Sequence, residues 1–398
     1  ATVMVLVGAG VKYETKEING ISHFLEHMFF KGTKKRPTTL KIAETLDQIG
    51  GHFNAFTGKE YTGYWAKVDS KHLDIALDWV SDIFLNSKIE EKEIKREKGV
   101  IIEEINMYLD TPMKHVWDLW EKLLYGDQPA GWNIAGKKET ILKLRRNQFL
   151  EYFKNHYSSK NTIICVAGNI NQKLINRKIK GYFKNIKTNI LKPKLQVIEK
   201  QKTPNTLIHF KKTDQTHLCL GVRGYNLFHP KRYVQEILTA LLGGFMSSRL
   251  WVSIRERKGL GYYVRTISDF STDTGYLTTS VGVDNKRVEE TIKLILREYK
   301  DLKSKKINSK ELQKAKDYLK GSSALSLESS DSKASFYATQ DLLEEKILTL
   351  KQIYTKIDKV TADDILRVSK DIFQPKNLNL ALIGPFKDKK RFKKLLKI

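Results

Sequence analysis

The sequence predicts an α+β protein of two similar α/β sandwich domains, each an antiparallel-rich sheet with helices packed on it, joined by a linker. Three observations predict it. The chain has 398 residues, more than one ordinary core accommodates. Helix and strand signals alternate along its whole length. A segment near the end of each half repeats: "HYSSKNTIICVAGNI" (156–170) matches "IFQPKNLNLALIGPF" (372–386), with Lys160, Asn161 and Gly168 answering Lys376, Asn377 and Gly384. Two copies of one α+β unit account for the match economically.

In chain order, "VMVLVGAG" (3–10) reads as a buried strand. It is too short to span a bilayer, lacks the basic start of a signal peptide, and leaves Ala1 looking like a trimmed or incomplete start. Helices are expected over 38–50, 71–86, 91–110 and 115–126, where apolar residues fall three or four apart. In the second of these, Asp74, Asp78 and Asp82 mark the solvent stripe. Strands are expected within 52–68 and 161–170. The basic, proline-containing stretch that follows reads as an extended linker. This divides the chain into an N-terminal domain (1–188), a linker (189–205) and a C-terminal domain (206–398). In the second half, 217–226, 275–284 and 378–386 read as strands. There 231–244, ended by Gly243 and Gly244, and 288–303 read as helices.

Composition excludes several classes. No run approaches 18 apolar residues, so no membrane span is expected. The two cysteines, Cys165 and Cys219, are too few for a disulfide framework and suit a reducing compartment. A cytoplasmic protein of bacterial type is the expectation, with the mitochondrial matrix as the alternative. Lys plus Arg outnumber Asp plus Glu by 71 to 45, a net charge of +26. The lysines are interspersed with acids at helical spacing, as on solvated faces. No zinc-finger or RNP signature accompanies them, so no specific nucleic-acid partner is expected.

The chemistry concentrates in "GISHFLEHMFFKGT" (20–33). His23 and His27 are four apart, which on a helix turns both imidazoles to one face, within reach of one zinc ion. Glu26 can lie beside the metal without ligating it and serve as general base and acid. Phe24, Leu25 and Met28 can pack the same helix into a core. This is H-x-x-E-H, the inverse of H-E-x-x-H. A catalytic zinc takes a third protein ligand, and the acidic helix "EEKEIKREKGVIIEEINMYLD" (90–110) follows. Glu104 lies on a partly apolar stretch and Glu97 two turns earlier on the same face. Glu103 is the adjacent competitor, turned about 100° away.

These residues resemble the pitrilysin/insulinase family of zinc peptidases, the inverzincins, and its shorter two-domain members related to the mitochondrial processing peptidase beta subunit. "NGISHFLEHMFFKGT" is similar to the family's zinc helix and "EKGVIIEEINMYLDTP" to its downstream ligand helix. The resemblance implies one zinc per chain held by His23, His27 and Glu104, with Glu97 as the carboxylate behind the ligands and Glu26 as the catalytic base. "GGHFNAFTGKEYTGYW" (50–65) resembles the family's peptide-binding strand, which implies substrate contacts at Asn54, Ala55 and Phe56. "GGFMSSRLWVSIRERKGLGYYV" (243–264) resembles its C-terminal signature, which implies that Arg255 and Tyr262 hydrogen-bond the substrate carbonyl and its developing oxyanion. The implied function is a zinc-dependent endopeptidase acting on short or unfolded peptides inside a clamshell chamber. The implied assembly is a homodimer with a composite active site. A heterodimeric processing peptidase and a non-hydrolytic binding or scaffold subunit are the alternatives.

Overall fold

The structure, a computed structural model, describes residues 1–398. Nine strands carry two sheets: β1 (Thr2–Val7), β2 (His52–Thr57), β3 (Thr62–Lys67) and β4 (Thr162–Ala167), then β5 (Asn205–Phe210), β6 (Gln215–Arg223), β7 (Gly261–Phe270), β8 (Gly275–Asp284) and β9 (Leu378–Gly384). Between β1 and β4 lie α1 (Ile21–Met28), α2 (Thr39–Asp47), α3 (Leu73–Asn86), α4 (Glu91–Leu109), α5 (Pro112–Tyr125), α6 (Lys138–Lys143) and α7 (Arg146–His156). Then come α8 (Gln172–Tyr182), α9 (Arg232–Gly243), α10 (Val288–Ser304), α11 (Ser309–Ser326), α12 (Ser330–Glu344), α13 (Leu350–Asp358), α14 (Ala362–Ile372) and α15 (Lys389–Lys393). No helix is long and apolar enough to cross a membrane.

The chain forms two compact units, and neither is contiguous in sequence. The first comprises residues 1–107, 132–195 and 325–347, the second 108–131, 196–324 and 348–398. Each unit therefore takes in one helix from the other half of the chain, α12 in the first and α5 in the second. The first unit holds an antiparallel sheet of order β2-β3-β1-β4. Alternation along β1 buries both of its faces: Val3, Val5 and Val7 join the core under α1 and α3, while Met4 and Leu6 meet Ala334 and Ala338 of α12. In the second unit, Leu218, Leu220 and Val222 of β6 pack toward α9, α10 and α14, and Cys219 of the same strand packs with Val116 and Trp120 of α5.

The second sheet has order β5-β9-β6-β8-β7, with β5 running parallel to β9 and the other pairs antiparallel. Without β5, its order β9-β6-β8-β7 is that of β4-β1-β3-β2, strand for strand in chain sequence. The repeated segments occupy equivalent places. In both, a helix (α7, α14) runs through a short 3-10 turn into the strand (β4, β9). In both, the repeated asparagine caps that helix at the same sequence offset: Asn161 Nδ2 donates to the carbonyl of His156, and Asn377 Nδ2 to that of Ile372, each five residues upstream.

Candidate metal centre

The short helix α1 carries the H-x-x-E-H residues. Eight residues do not hold a helix in water, so tertiary burial must. Ile21, Phe24, Leu25 and Met28 are fully buried, each worth roughly 1.5–3 kcal/mol against exposure. Phe24 meets the edge of Phe149, and Ser22 Oγ bonds the hydroxyl of Tyr152. The helix starts at Gly20, whose φ of 99° and contacts with Ala135 O and Gly136 leave no place for a side chain. The buried Glu14 carboxylate caps this start, accepting hydrogen bonds from the Gly20 and Ser22 amides and from Asn19 Nδ2.

Opposite stands α4. Ile94, Glu97 and Ile101 are its buried stripe, and Glu104 continues that stripe while Glu103 is exposed beside Asn106. The spacing 94, 97, 101, 104 is one helix face. It brings Glu104 to the two imidazoles. His23 Nε2 and His27 Nε2 are 3.3 Å apart, and Glu104 Oε2 lies 3.5 Å from each. Three of the four corners of a tetrahedron with arms of 2.0–2.1 Å stand about 3.3–3.4 Å apart, so the donor set fits a tetrahedral metal ion. These are the three residues whose ligand atoms converge in the molecule.

Electrostatics suits the same reading. Burial, and then His27, pushes the pKa of His23 down to about 3, which leaves its imidazole neutral and able to ligate at neutral pH. His23 Nδ1 is buried without a hydrogen-bond partner. His27 Nδ1 lies 2.9 Å from Glu97 Oε1; the carboxylate partner assigns the proton to Nδ1 and leaves the Nε2 lone pair facing His23 and Glu104. Burial raises the pKa of Glu97, but hydrogen bonds from His27 and Lys31 outweigh it and hold the carboxyl below its usual range.

Glu26 is half-buried on the same turn as His27. Burial raises its pKa, against the lowering effect of the Thr57 hydrogen bond and of His27. Thr57 Oγ1 donates to Glu26 Oε2 at 2.5 Å. A cavity of about 310 Å³ opens beside Glu26 and His27 and is walled by Phe30, Ile42, Phe53 and Asn54 among others. Strand β2 forms one edge of the first sheet, paired only with β3. Asn54 is exposed there, and its Oδ1 accepts from the Ala55 amide at 2.9 Å. Phe56 is not brought to the cavity. It packs against Tyr61 and the cluster of Met4 and Leu6, and the aromatic side chain of β2 that walls the cavity is Phe53.

Arg255 and Tyr262 lie together in the second unit. Arg255 sits on a π-helical turn, Trp251–Glu256, and Tyr262 near the start of β7. Arg255 Nη1 donates to the Tyr262 carbonyl at 2.9 Å, and its guanidinium stacks over the rings of Trp251 and Tyr262. No carboxylate pairs with it, and the Tyr262 side chain is 78% exposed. The internal partners of Arg255 are thus two aromatic rings and one carbonyl, with no carboxylate among them. The helix of this unit that follows its first antiparallel strand, α9, has no histidine.

Thr57 and Glu14 escape a reading of the sequence, because Thr57 is 31 residues from the carboxylate it holds and Glu14 acts through a loop. Lys31 had a usable signal, the four-residue step from His27.

Comparison with known proteins identifies the family and the fold. Residues 1–138 match the profile described as insulinase (peptidase family M16), and residues 143–319 that of the peptidase M16 inactive domain. The uncharacterized zinc protease YmxG of Bacillus subtilis is 40% identical over 386 residues, 96% of this chain and 92% of the relative. An uncharacterized zinc protease of Streptomyces coelicolor is 31% identical, covering 98% of this chain and 86% of its own. Among solved structures, a protease from Helicobacter pylori superposes with a TM-score of 0.89 at 23% identity, over 96% of this chain and 93% of that one. A chain of complex III2 from Candida albicans superposes with 0.86 at 18% identity, over 100% and 94%. At those identities the structures share the fold. The chain belongs to the insulinase family of peptidases, family M16.

Proposed function

We propose that this protein is a zinc-dependent endopeptidase that hydrolyses short or unfolded peptides. The observation that carries the reading is the convergence of His23, His27 and Glu104 with Glu26 beside them. His23, His27 and Glu104 hold one zinc ion, which supplies Lewis acidity and lowers the pKa of water. Glu26 takes the proton of the attacking water and delivers it to the departing amine. Its raised pKa suits both halves of that task, and Thr57 keeps one carboxylate oxygen fixed while the other does the transfer. The peptide lies as an added strand along the free edge of β2, through backbone hydrogen bonds that read little sequence. Asn54 and Ala55 contact it there, after the Asn54 side chain releases the Ala55 amide. Arg255 and Tyr262 donate to the scissile carbonyl as charge develops on its oxygen.

Purified protein should cleave an unfolded peptide, lose that activity to a chelator and regain it with one equivalent of zinc. Chelator-insensitive cleavage, or none by the zinc-loaded chain on any peptide, would sink the reading; the latter outcome would favour a binding subunit.

The working assembly in this proposal is a homodimer closing a chamber around the peptide, with a composite active site in which Arg255 and Tyr262 of one chain complete the zinc site of the other. Mixing inactive Glu26→Gln chains with inactive Arg255→Ala chains is then expected to restore one working site per mixed dimer. No recovery after verified subunit exchange would rule out sharing.

A further inference from the structure

Two short stripes face each other at the metal centre. The segment entering from α1 presents His23, His27 and Lys31, four residues apart. Helix α4 presents Glu104 and Glu97, seven apart. They pair as two rungs: Glu104 Oε2 lies 3.5 Å from both imidazole Nε2 atoms, and Glu97 lies between His27 and Lys31. His27 belongs to both rungs, while Lys31 and Glu97 belong only to the second and are not among the converging donors.

The second rung has no slack. Glu97 is 3% exposed. Its Oε1 sits 2.9 Å from His27 Nδ1 and its Oε2 2.7 Å from Lys31 Nζ. A carboxylate buried to this degree needs a cationic or hydrogen-bonding partner for each oxygen. Lys31 is the cation supplied, and by taking Oε2 it leaves Oε1 turned toward His27. Lys31 itself reaches this position through a tight turn beyond α1, in which its amide bonds the Met28 carbonyl. The following Gly32, at φ 126°, turns the chain away.

We propose that Lys31 is a positioning residue for the metal centre: it fixes Glu97, and Glu97 fixes the ring orientation and tautomer of His27. Lys31 touches none of the three donors, so its whole effect passes through Glu97. The inference rests on His23, His27 and Glu104 being the metal ligands, and not on what the protein cleaves.

The test is zinc affinity of the full-length chain, measured by competition with a chromophoric chelator. The variants are Lys31→Met, Lys31→Arg, Glu97→Gln and the double variant Lys31→Met/Glu97→Gln. Lys31→Met should bind zinc about 10-fold more weakly than wild type, within the range typical of partners behind a ligand. Lys31→Arg should recover most of the loss, because a guanidinium can reach the same oxygen. In the Glu97→Gln background, Lys31→Met should add nothing. Wild-type affinity in Lys31→Met, failure of arginine to rescue, or additive losses in the double variant would each overturn the proposal. If wild type binds zinc but cleaves no peptide, the peptidase reading fails while the Lys31 result stands on its own. If wild type binds no zinc, both fall.

Discussion

Glu26→Gln is expected to remove peptide hydrolysis while leaving zinc uptake unchanged. Glutamine keeps the shape of the side chain and still accepts the Thr57 hydrogen bond through its amide oxygen. It cannot take a proton. The lost general acid–base step corresponds to about 10²–10⁴-fold in kcat. Zinc content should stay at one per chain, because the converging donors are His23, His27 and Glu104, and Glu26 is not among them. Turnover of a defined peptide together with elemental analysis separates the two quantities. A zinc-replete Glu26→Gln chain working at the wild-type rate would assign the base elsewhere.

Glu104→Ala is the second large effect. It should weaken zinc binding by more than about 100-fold, beyond the usual cost of losing a residue that only supports a ligand, and hydrolysis should disappear with the metal. Two imidazoles 3.3 Å apart would remain, one donor short of a catalytic set. The control is the neighbouring carboxylate. Glu103→Ala, on the exposed side of α4, should leave both affinity and turnover within about twofold, as surface changes usually do. Calorimetric zinc titration of the two variants decides between adjacent glutamates that sequence spacing alone left open. Equal losses, or a larger loss in Glu103→Ala, would contradict the assignment.

The contrast between those two glutamates shows what kind of information the sequence held. A position on α4 is decided by which face the helix buries. The apolar residues Ile94 and Ile101 mark that face, and Glu97 and Glu104 fall on it by the 3-4-3 spacing. The signal was therefore present, but it competed with a neighbour only one residue away until the helix packed. Strand β2 gave the opposite result. Its existence was legible, but which of its side chains reach the cavity depends on how the sheet packs against α1 and α2: Phe53 and Asn54 line it, and Phe56 packs with Tyr61, Met4 and Leu6.

The crossing helices were the least legible part. Helix α12 completes the first unit although it comes from the second half of the chain. Its buried apolar contribution against Met4 and Leu6 is two alanines, Ala334 and Ala338. So thin an apolar stripe gives almost no periodicity to read, and nothing local says which sheet will receive it. The reverse exchange, α5 into the second unit, is strongly amphipathic, with Val116, Leu119 and Trp120 buried. A helix was expected there, but its destination was not encoded nearby.

Chemistry dictated by local geometry is readable in the chain without its fold. His23, Glu26 and His27 share one helix turn at fixed spacing, so their common face follows from 3.6 residues per turn. The doubled α+β plan follows from a repeated helix–turn–strand signal. Contacts between distant segments are decided only by the tertiary structure: Thr57 on Glu26, Lys31 on Glu97, the approach of Glu104 to the two histidines, and the exchange of α5 and α12. Those choices depend on which surfaces bury each other, a property of the packed chain that no short window of residues contains.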